Sequence, residues 1–309
     1  MGHSHAHSSG HSHDHSQSVY GKINLSFGIA VFANLAFTLI EGVYAIFADS
    51  MGLLADAGHN LGDVLGLLLA WGANWLMSKP AKDRYSYGYK RSSVLASLFN
   101  AFLLVATSAI IAYESVLKLI YPSPVNELIV VVVAAIGIVV NGSTAMLFFK
   151  QNKHDLNIKG AFLHLAADAL LSLGVVVTGI VVYYTGWVRL DAIIGLTIVI
   201  VIVVGTWDLL RQSLRLILDA APKHIEPQDV SAFLSALPGV KAVHDLHIWG
   251  LSTREVALTA HLVMPNVVLS DEDYHRISHD LLDKFNIHHV TLQVEKGDAA
   301  PGCALDGTC

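Results

Sequence analysis

Cysteine is almost missing from this chain of 309 residues: Cys303 and Cys309 are the only two, and both lie among the last seven positions. Two terminal thiols cannot staple a secreted fold, so no oxidising compartment is implied. Charge is scarce as well, at 14% Asp, Glu, Lys and Arg, against about 25% in an average soluble domain. With 53% hydrophobic residues and a mean hydropathy of +0.53, that scarcity excludes an ordinary soluble enzyme and a disordered chain. A basic excess is absent too: a net charge of -6 and a pI near 6.3 leave no footprint for nucleic acid. What is plentiful is histidine. Its 17 residues nearly equal the 19 lysines and arginines together, which points to metal, as the apolar runs point to a membrane.

Six stretches have the roughly 20 mostly apolar residues that a transmembrane helix needs: Ile23–Phe47, Met51–Met77, Ser93–Ile120, Leu128–Phe149, Ile158–Tyr184 and Leu190–Leu210. Short breaker-rich connections separate several of them, such as Tyr121-Pro122-Ser123-Pro124 and Thr185-Gly186-Trp187. Lysine and arginine set the orientation. Lys22, Lys79, Lys82, Arg84, Lys90, Arg91, Lys150, Lys153, Lys159, Arg211, Arg215 and Lys223 fall on one side, and only Lys118 and Arg189 on the other. Both termini are therefore expected in the cytoplasm, with Arg211 and Arg215 marking the membrane edge. The polar N-terminus lacks the pattern of a signal peptide.

After residue 215 the composition becomes that of a small soluble domain. A helix fits Glu226–Leu237, closed by Pro238-Gly239. VKAVHDLHIWGL and EVALTAHLVM alternate as two strands around Ser252-Thr253-Arg254. Ser270 with Asp273 resembles a capping box for a helix to about Phe285, and HVTLQVE reads as a last strand. The expected divisions are a tail at 1–18, a six-helix transmembrane domain at 19–215, a cytoplasmic αββαβ domain at 216–298 and a Cys-containing tail at 299–309.

Two motifs of the form H-x-x-x-D carry the chemistry: His59 with Asp63 in the second span, and His164 with Asp168 in the fifth. A spacing of four puts both side chains of a pair on one helix face. Ionisable groups inside a membrane are costly and face a cavity or a partner. Counted from the helix ends, Asp63 and His164 are expected at similar depth from the cytoplasmic boundary, so the two pairs can meet. Two imidazole nitrogens and two carboxylate oxygens suit tetrahedral zinc, whereas magnesium, calcium and manganese favour more oxygen. Gly58, Gly62 and Gly66 would let another helix approach closely beside them. The alternative is a set of packing glycines and isolated polar residues bonded within the bundle.

The segments LLADAGHNLGDVLGL, RYSYGYKR, HLAADALLSLGV, VHDLHIWGLS and LTAHL resemble the cation diffusion facilitator transporters, over nearly the whole chain after the tail. The resemblance implies an α-helical membrane protein with six transmembrane helices, a ferredoxin-like cytoplasmic domain, a homodimer, and export of divalent metal in exchange for protons. It assigns His59, Asp63, His164 and Asp168 to the transport site, in the combination of the zinc members. It also places His244, His261 and Glu295 at cytoplasmic metal-binding positions, with Cys303 and Cys309 as tail ligands. One departure is clear: the loop from Ser78 to Arg91 has no histidine, and Asp83 alone cannot hold an ion. In simple alternation His244 shares its strand face with Leu246 and Ile248, and His247 points with Asp245 and Trp249. A hydrogen-bonded sheet histidine and two ordinary thiols are the alternative there.

The tail carries His3, His5, His7, His11, His13 and His15, spaced by small polar residues, and reads as a loose metal-capturing segment; an affinity tag is the alternative. Ala6 stands where a myristoylation motif needs Ser or Thr. His275, His279, His288 and His289 fit solvated surface. Glu41, Asp56 and Asn141 are intramembrane polar groups expected to line a wet cavity.

These features make a Zn²⁺/H⁺ antiporter of a bacterial inner membrane the expected function, with Cd²⁺, Co²⁺ and Ni²⁺ as further candidate cargo. Zinc is also expected in the cytoplasmic domain. An intramembrane metalloenzyme is the first rival, but four ligands leave no open water position, and H-E-x-x-H and G-x-S-x-G do not occur. A membrane metal sensor is the second, and no signalling module is recognisable.

Overall fold

A computed structural model describes the backbone of residues 25–149 and 156–297, and the side chains of residues 32–146 and 165–297. Six long helices come first: α1 (Leu25–Ala48), α2 (Met51–Met77), α3 (Ser92–Ile120), α4 (Glu127–Phe149), α5 (Leu156–Thr185) and α6 (Arg189–Ile217). Among the described residues, the segments Ser92–Ile120, Glu127–Met146, Leu165–Thr185 and Arg189–Ile217 are each long and apolar enough to cross a bilayer. The described part of α1 adds a shorter apolar stretch, Phe32–Ala48. The remaining helix, α2, carries Asp56, His59 and Asp63 within its 27 residues, so composition alone does not single it out. Large apolar side chains such as Phe102, Ile110, Val139 and Val204 remain exposed along the outside of the bundle. That coat suits hydrocarbon and would aggregate in water.

The two-residue turn Asp49-Ser50 makes α1 and α2 antiparallel neighbours. Asp49 takes the left-handed conformation, φ 52°, which Asp tolerates better than most residues. Ser50 caps α2 by accepting from Leu53 N at 3.1 Å. Asp191 of α6 accepts from Met51 N at 2.6 Å and Gly52 N at 3.3 Å, and from the Ser50 hydroxyl. Four free backbone donors at a helix start are costly in an apolar setting, and a neighbouring helix supplies their acceptor. The glycines of α2 do what their spacing predicts. Gly58, Gly62 and Gly66 seat Ile111, Leu104 and Asn100 of α3, and a Cβ at Gly62 would overlap Leu104.

The cytoplasmic domain follows as α7 (Pro227–Ser235), β1 (Ala242–Gly250), β2 (Val256–Val263), α8 (Asp271–Phe285) and β3 (His289–Glu295). The αββαβ order matches the sequence expectation. The sheet runs β1-β2-β3, antiparallel between the first pair and parallel between the second. Val230 and Leu234 of α7, Ile277 and Leu281 of α8, and Leu258 and Leu262 of β2 form its core. The capping box is present: Ser270 accepts from Asp273 N, and Asp273 accepts from Ser270 N. Ser270→Ala is expected to cost about 1 kcal/mol of local stability, read as faster amide exchange over α8 in the full-length protein.

The domain is tied to the bundle near the start of α3. Lys90 pairs with Glu255 and Arg91 with Asp219, while Thr253 N donates to Ser93 Oγ at 3.1 Å. The basic α2–α3 loop and the C-terminal domain therefore lie on the same side of the helices.

Strand β1 corrects one expectation. Its register against β2 shifts between His244 and His247: His244 faces His261, but His247 faces Thr259. Asp245, at φ 51°, forms the bulge. A bulge inserts one residue and reverses the alternation beyond it. His244 and His247 therefore share the face of His261, and Ile248 turns to the core beside Leu258.

Candidate metal centres

The polar stripe of α2 is built by helical spacing. Asp56, His59, Asn60 and Asp63 recur at intervals of three and four and so share one side of the helix. α5 brings Asp168 to the same place. His59 Nε2 lies 3.2 Å from Asp168 Oδ1 and 3.6 Å from Asp63 Oδ2, and ligand atoms of all three lie within 4.8 Å of one another. Ligands 2.0–2.1 Å from a tetrahedral zinc stand about 3.3 Å apart, so these spacings need little adjustment to hold such an ion. His164 is on α5 one turn before Asp168, but its side chain lies outside the described residues.

Exposure rises along α2. The side chain of His59 is 16% exposed and that of Asp63, one turn on, 26%, while Asp168 on α5 is 4% exposed, so the cluster opens toward the Met77 end of the helix. At the opposite end, Lys118 pairs with Asp49, Ser123 donates to Asp49, and Asp191 holds the start of α2. That end is closed by hydrogen bonds.

The second cluster is in the cytoplasmic sheet. His244 Nε2 lies 3.0 Å from Glu295 Oε2, His261 Nδ1 lies 3.0 Å from Glu295 Oε1, and the three offer ligand atoms within 4.8 Å. Parallel pairing puts Glu295 two positions beyond Gln293, the residue opposite His261, and so on the same face, and the β1 register puts His244 directly across. Desolvation alone would raise the Glu295 carboxyl, but hydrogen bonds from His244 and Gln293, with the nearby His244 and His261 charges, hold it below the ordinary glutamate value. The contact thus contributes stability above the unfolded pKa and loses it as pH falls through the lowered folded value. Cys303 and Cys309, like the six histidines of the N-terminal tail, lie outside the described residues.

Asp245 was not a sequence candidate. Its carboxylate lies 3.3 Å from His261 Nε2 and 2.9 Å from His247 Nε2. Simple alternation turns it away from His244, and only the bulge brings it round. The intramembrane groups also differ from expectation. Glu41, Asp56 and Asn141 are each 0% exposed, so they do not line an open wet cavity; helix packing seals them behind the His59 cluster.

Residues 28–218 match the model of the cation efflux transmembrane domain, and residues 222–297 that of the cation efflux protein cytoplasmic domain. The chain is 35% identical over 295 residues to the metal cation efflux system protein CzcD of Cupriavidus metallidurans, covering 95% of this chain and 90% of that one. It is 30% identical to a cadmium, cobalt and zinc/H(+)-K(+) antiporter of Bacillus subtilis, covering 84% and 85%. To the zinc transporter ZitB of Escherichia coli it is 29% identical, covering 99% and 96%.

Proposed function

The chain belongs to the cation diffusion facilitator (cation efflux) family, a family of transporters and not of enzymes, and as a divalent metal cation efflux protein we propose that it exchanges cytoplasmic Zn²⁺ for protons. The observation that carries this reading is the grouping of His59, Asp63 and Asp168 across α2 and α5. These three, with His164, are the proposed transport ligands. Histidine ligates only when neutral, so metal and protons compete for the same groups. A site facing the acidic side takes protons and releases metal; facing the cytoplasm it does the reverse. Rocking of the helices about the cluster supplies alternating access. Zinc is taken as the preferred cargo because the ligand set mixes nitrogen with oxygen.

Six spans, cytoplasmic termini and residence in a bacterial inner membrane complete the proposal. The basic loop and the C-terminal domain share one side of the bundle, as cytoplasmic placement of both requires. The chain is proposed to work as a homodimer, with His244, His261 and Glu295 binding a second zinc that Cys303 and Cys309 help hold. The N-terminal histidines gather metal at low concentration.

Initial uptake rates for Zn²⁺, Cd²⁺, Co²⁺ and Ni²⁺ into proteoliposomes test this. Zinc is expected to lead, and deletion of residues 1–16 to change only the rate at low free metal. Failure of the intact protein to move any of the four would overturn the proposal.

A further inference from the structure

Behind the metal cluster lies a second buried network that the exchange described so far does not use. Glu41 of α1 is 0% exposed and accepts from Asn60 Nδ2 at 3.2 Å. Asp56 of α2, also 0% exposed, accepts from Ser172 Oγ at 2.6 Å. The remaining oxygen of each, Glu41 Oε1 and Asp56 Oδ1, is buried and receives no hydrogen bond from any donor among the described residues. Yet the two carboxyl groups are hydrogen-bonded neighbours. Two ionised carboxylates are both acceptors and cannot bond to each other. A single proton between them completes both groups at once.

Among the described residues, few groups face the pair from the packed helices. From α2 the groups facing Glu41 are Asp56 and Asn60, and the imidazole of His59 lies within electrostatic reach of Asp56. α5 presents Ser172 and, near Asp56, the carboxylate of Asp168. Gly137 of α4 packs on Phe37 and Ser172, and Asn141 follows one turn later, buried, with neither amide atom partnered. No described lysine or arginine pairs with either acid. With the transport site empty, four carboxylates (Glu41, Asp56, Asp63, Asp168) would share one apolar bundle, which is strongly unfavourable without protons. On α1, Asn34 Oδ1 and Thr38 Oγ1 are also buried without partners. At spacings of four and three they continue from Glu41 toward the Leu25 end of the helix, where bridging water suits such orphaned polar atoms.

We infer that Glu41, hydrogen-bonded to Asp56, is a proton-carrying group of the exchange, distinct from the metal ligands and served by the Asn34–Thr38 side of α1. The inference rests on the Zn²⁺/H⁺ reading above. Arrival of the dication at the neighbouring cluster stabilises the doubly ionised pair, and the proton leaves the Glu41 carboxyl for water. Departure of the metal reverses this, and the O–H bond re-forms.

The test is the number of protons released per zinc bound by the purified full-length protein, followed in weakly buffered solution with a pH indicator. Glu41→Gln is expected to keep transport-site zinc but to release about one proton fewer per metal than wild type; zinc bound in the cytoplasmic domain cancels in that difference. Equal release by the two proteins would overturn the inference while leaving the exchange intact. No release and no transport by wild type would instead overturn the exchange itself. If Glu41→Gln does not fold, the infrared difference spectrum of wild type decides. Loss of a carboxylic-acid carbonyl band on zinc addition supports the inference, and absence of that change refutes it.

Discussion

Asp168→Ala is expected to reduce the initial rate of zinc transport by about 100-fold or more. The carboxylate is nearly sealed, and its oxygen lies 3.2 Å from His59 Nε2. Removing one partner from a buried charged group typically costs about 3–5 kcal/mol, and each 1.4 kcal/mol is about tenfold in an equilibrium. The matching control is Asp208→Asn on α6, whose side chain is 61% exposed and whose cation partner is Lys223 at 3.6 Å; its rate is expected to match wild type. Initial rates in proteoliposomes carrying equal amounts of folded protein decide the matter. A wild-type rate in Asp168→Ala would remove this residue from the transport site.

His59→Asp is expected to lower zinc transport severalfold and to reorder the metals without silencing the protein. The substitution keeps a ligand at the centre of the cluster, between Asp63 and Asp168, but converts nitrogen to oxygen. Three carboxylates shift the set toward oxygen and add a negative charge, so harder ions such as Mn²⁺, or the larger Cd²⁺, are expected to gain on Zn²⁺. Proton competition should also weaken near neutral pH, because the reference pKa falls from about 6.5 for imidazole to about 3.9 for aspartate. Rates for the three metals at two pH values provide the measurement. An unchanged ranking together with an unchanged pH dependence would show that His59 sets neither property.

The two expectations draw on different parts of the sequence. The placing of His59 and Asp63 on one face of α2 was legible because helical spacing fixes which side chains share a face, and an ionisable group in an apolar span has few uses. The capping box at Ser270 and the αββαβ order were legible for the same local reason. The bulge at Asp245 was not. Alternation over HDLHIW is regular in sequence, and a single left-handed residue (φ 51°) is enough to bring Asp245 and His247 onto the face of His261. Nor was the sealing of Glu41 and Asp56 legible. Their burial depends on how α1, α2 and α5 pack, and Asn60 and Ser172 become their partners only across helix interfaces. Similarly, Asp191 reads as an ordinary acidic residue at a helix start, and its role as acceptor for the start of α2 arises from a contact 140 residues away in the chain.

Exchange of metal for protons through the cluster of His59, Asp63 and Asp168 is the property to measure. Its most direct test places the protein in sealed liposomes with a pH indicator inside and an imposed zinc gradient. Proton movement opposite to zinc is expected, starting with zinc addition and lost in Asp168→Asn. Zinc entry with no accompanying proton movement, or proton movement that persists unchanged in Asp168→Asn, would contradict it.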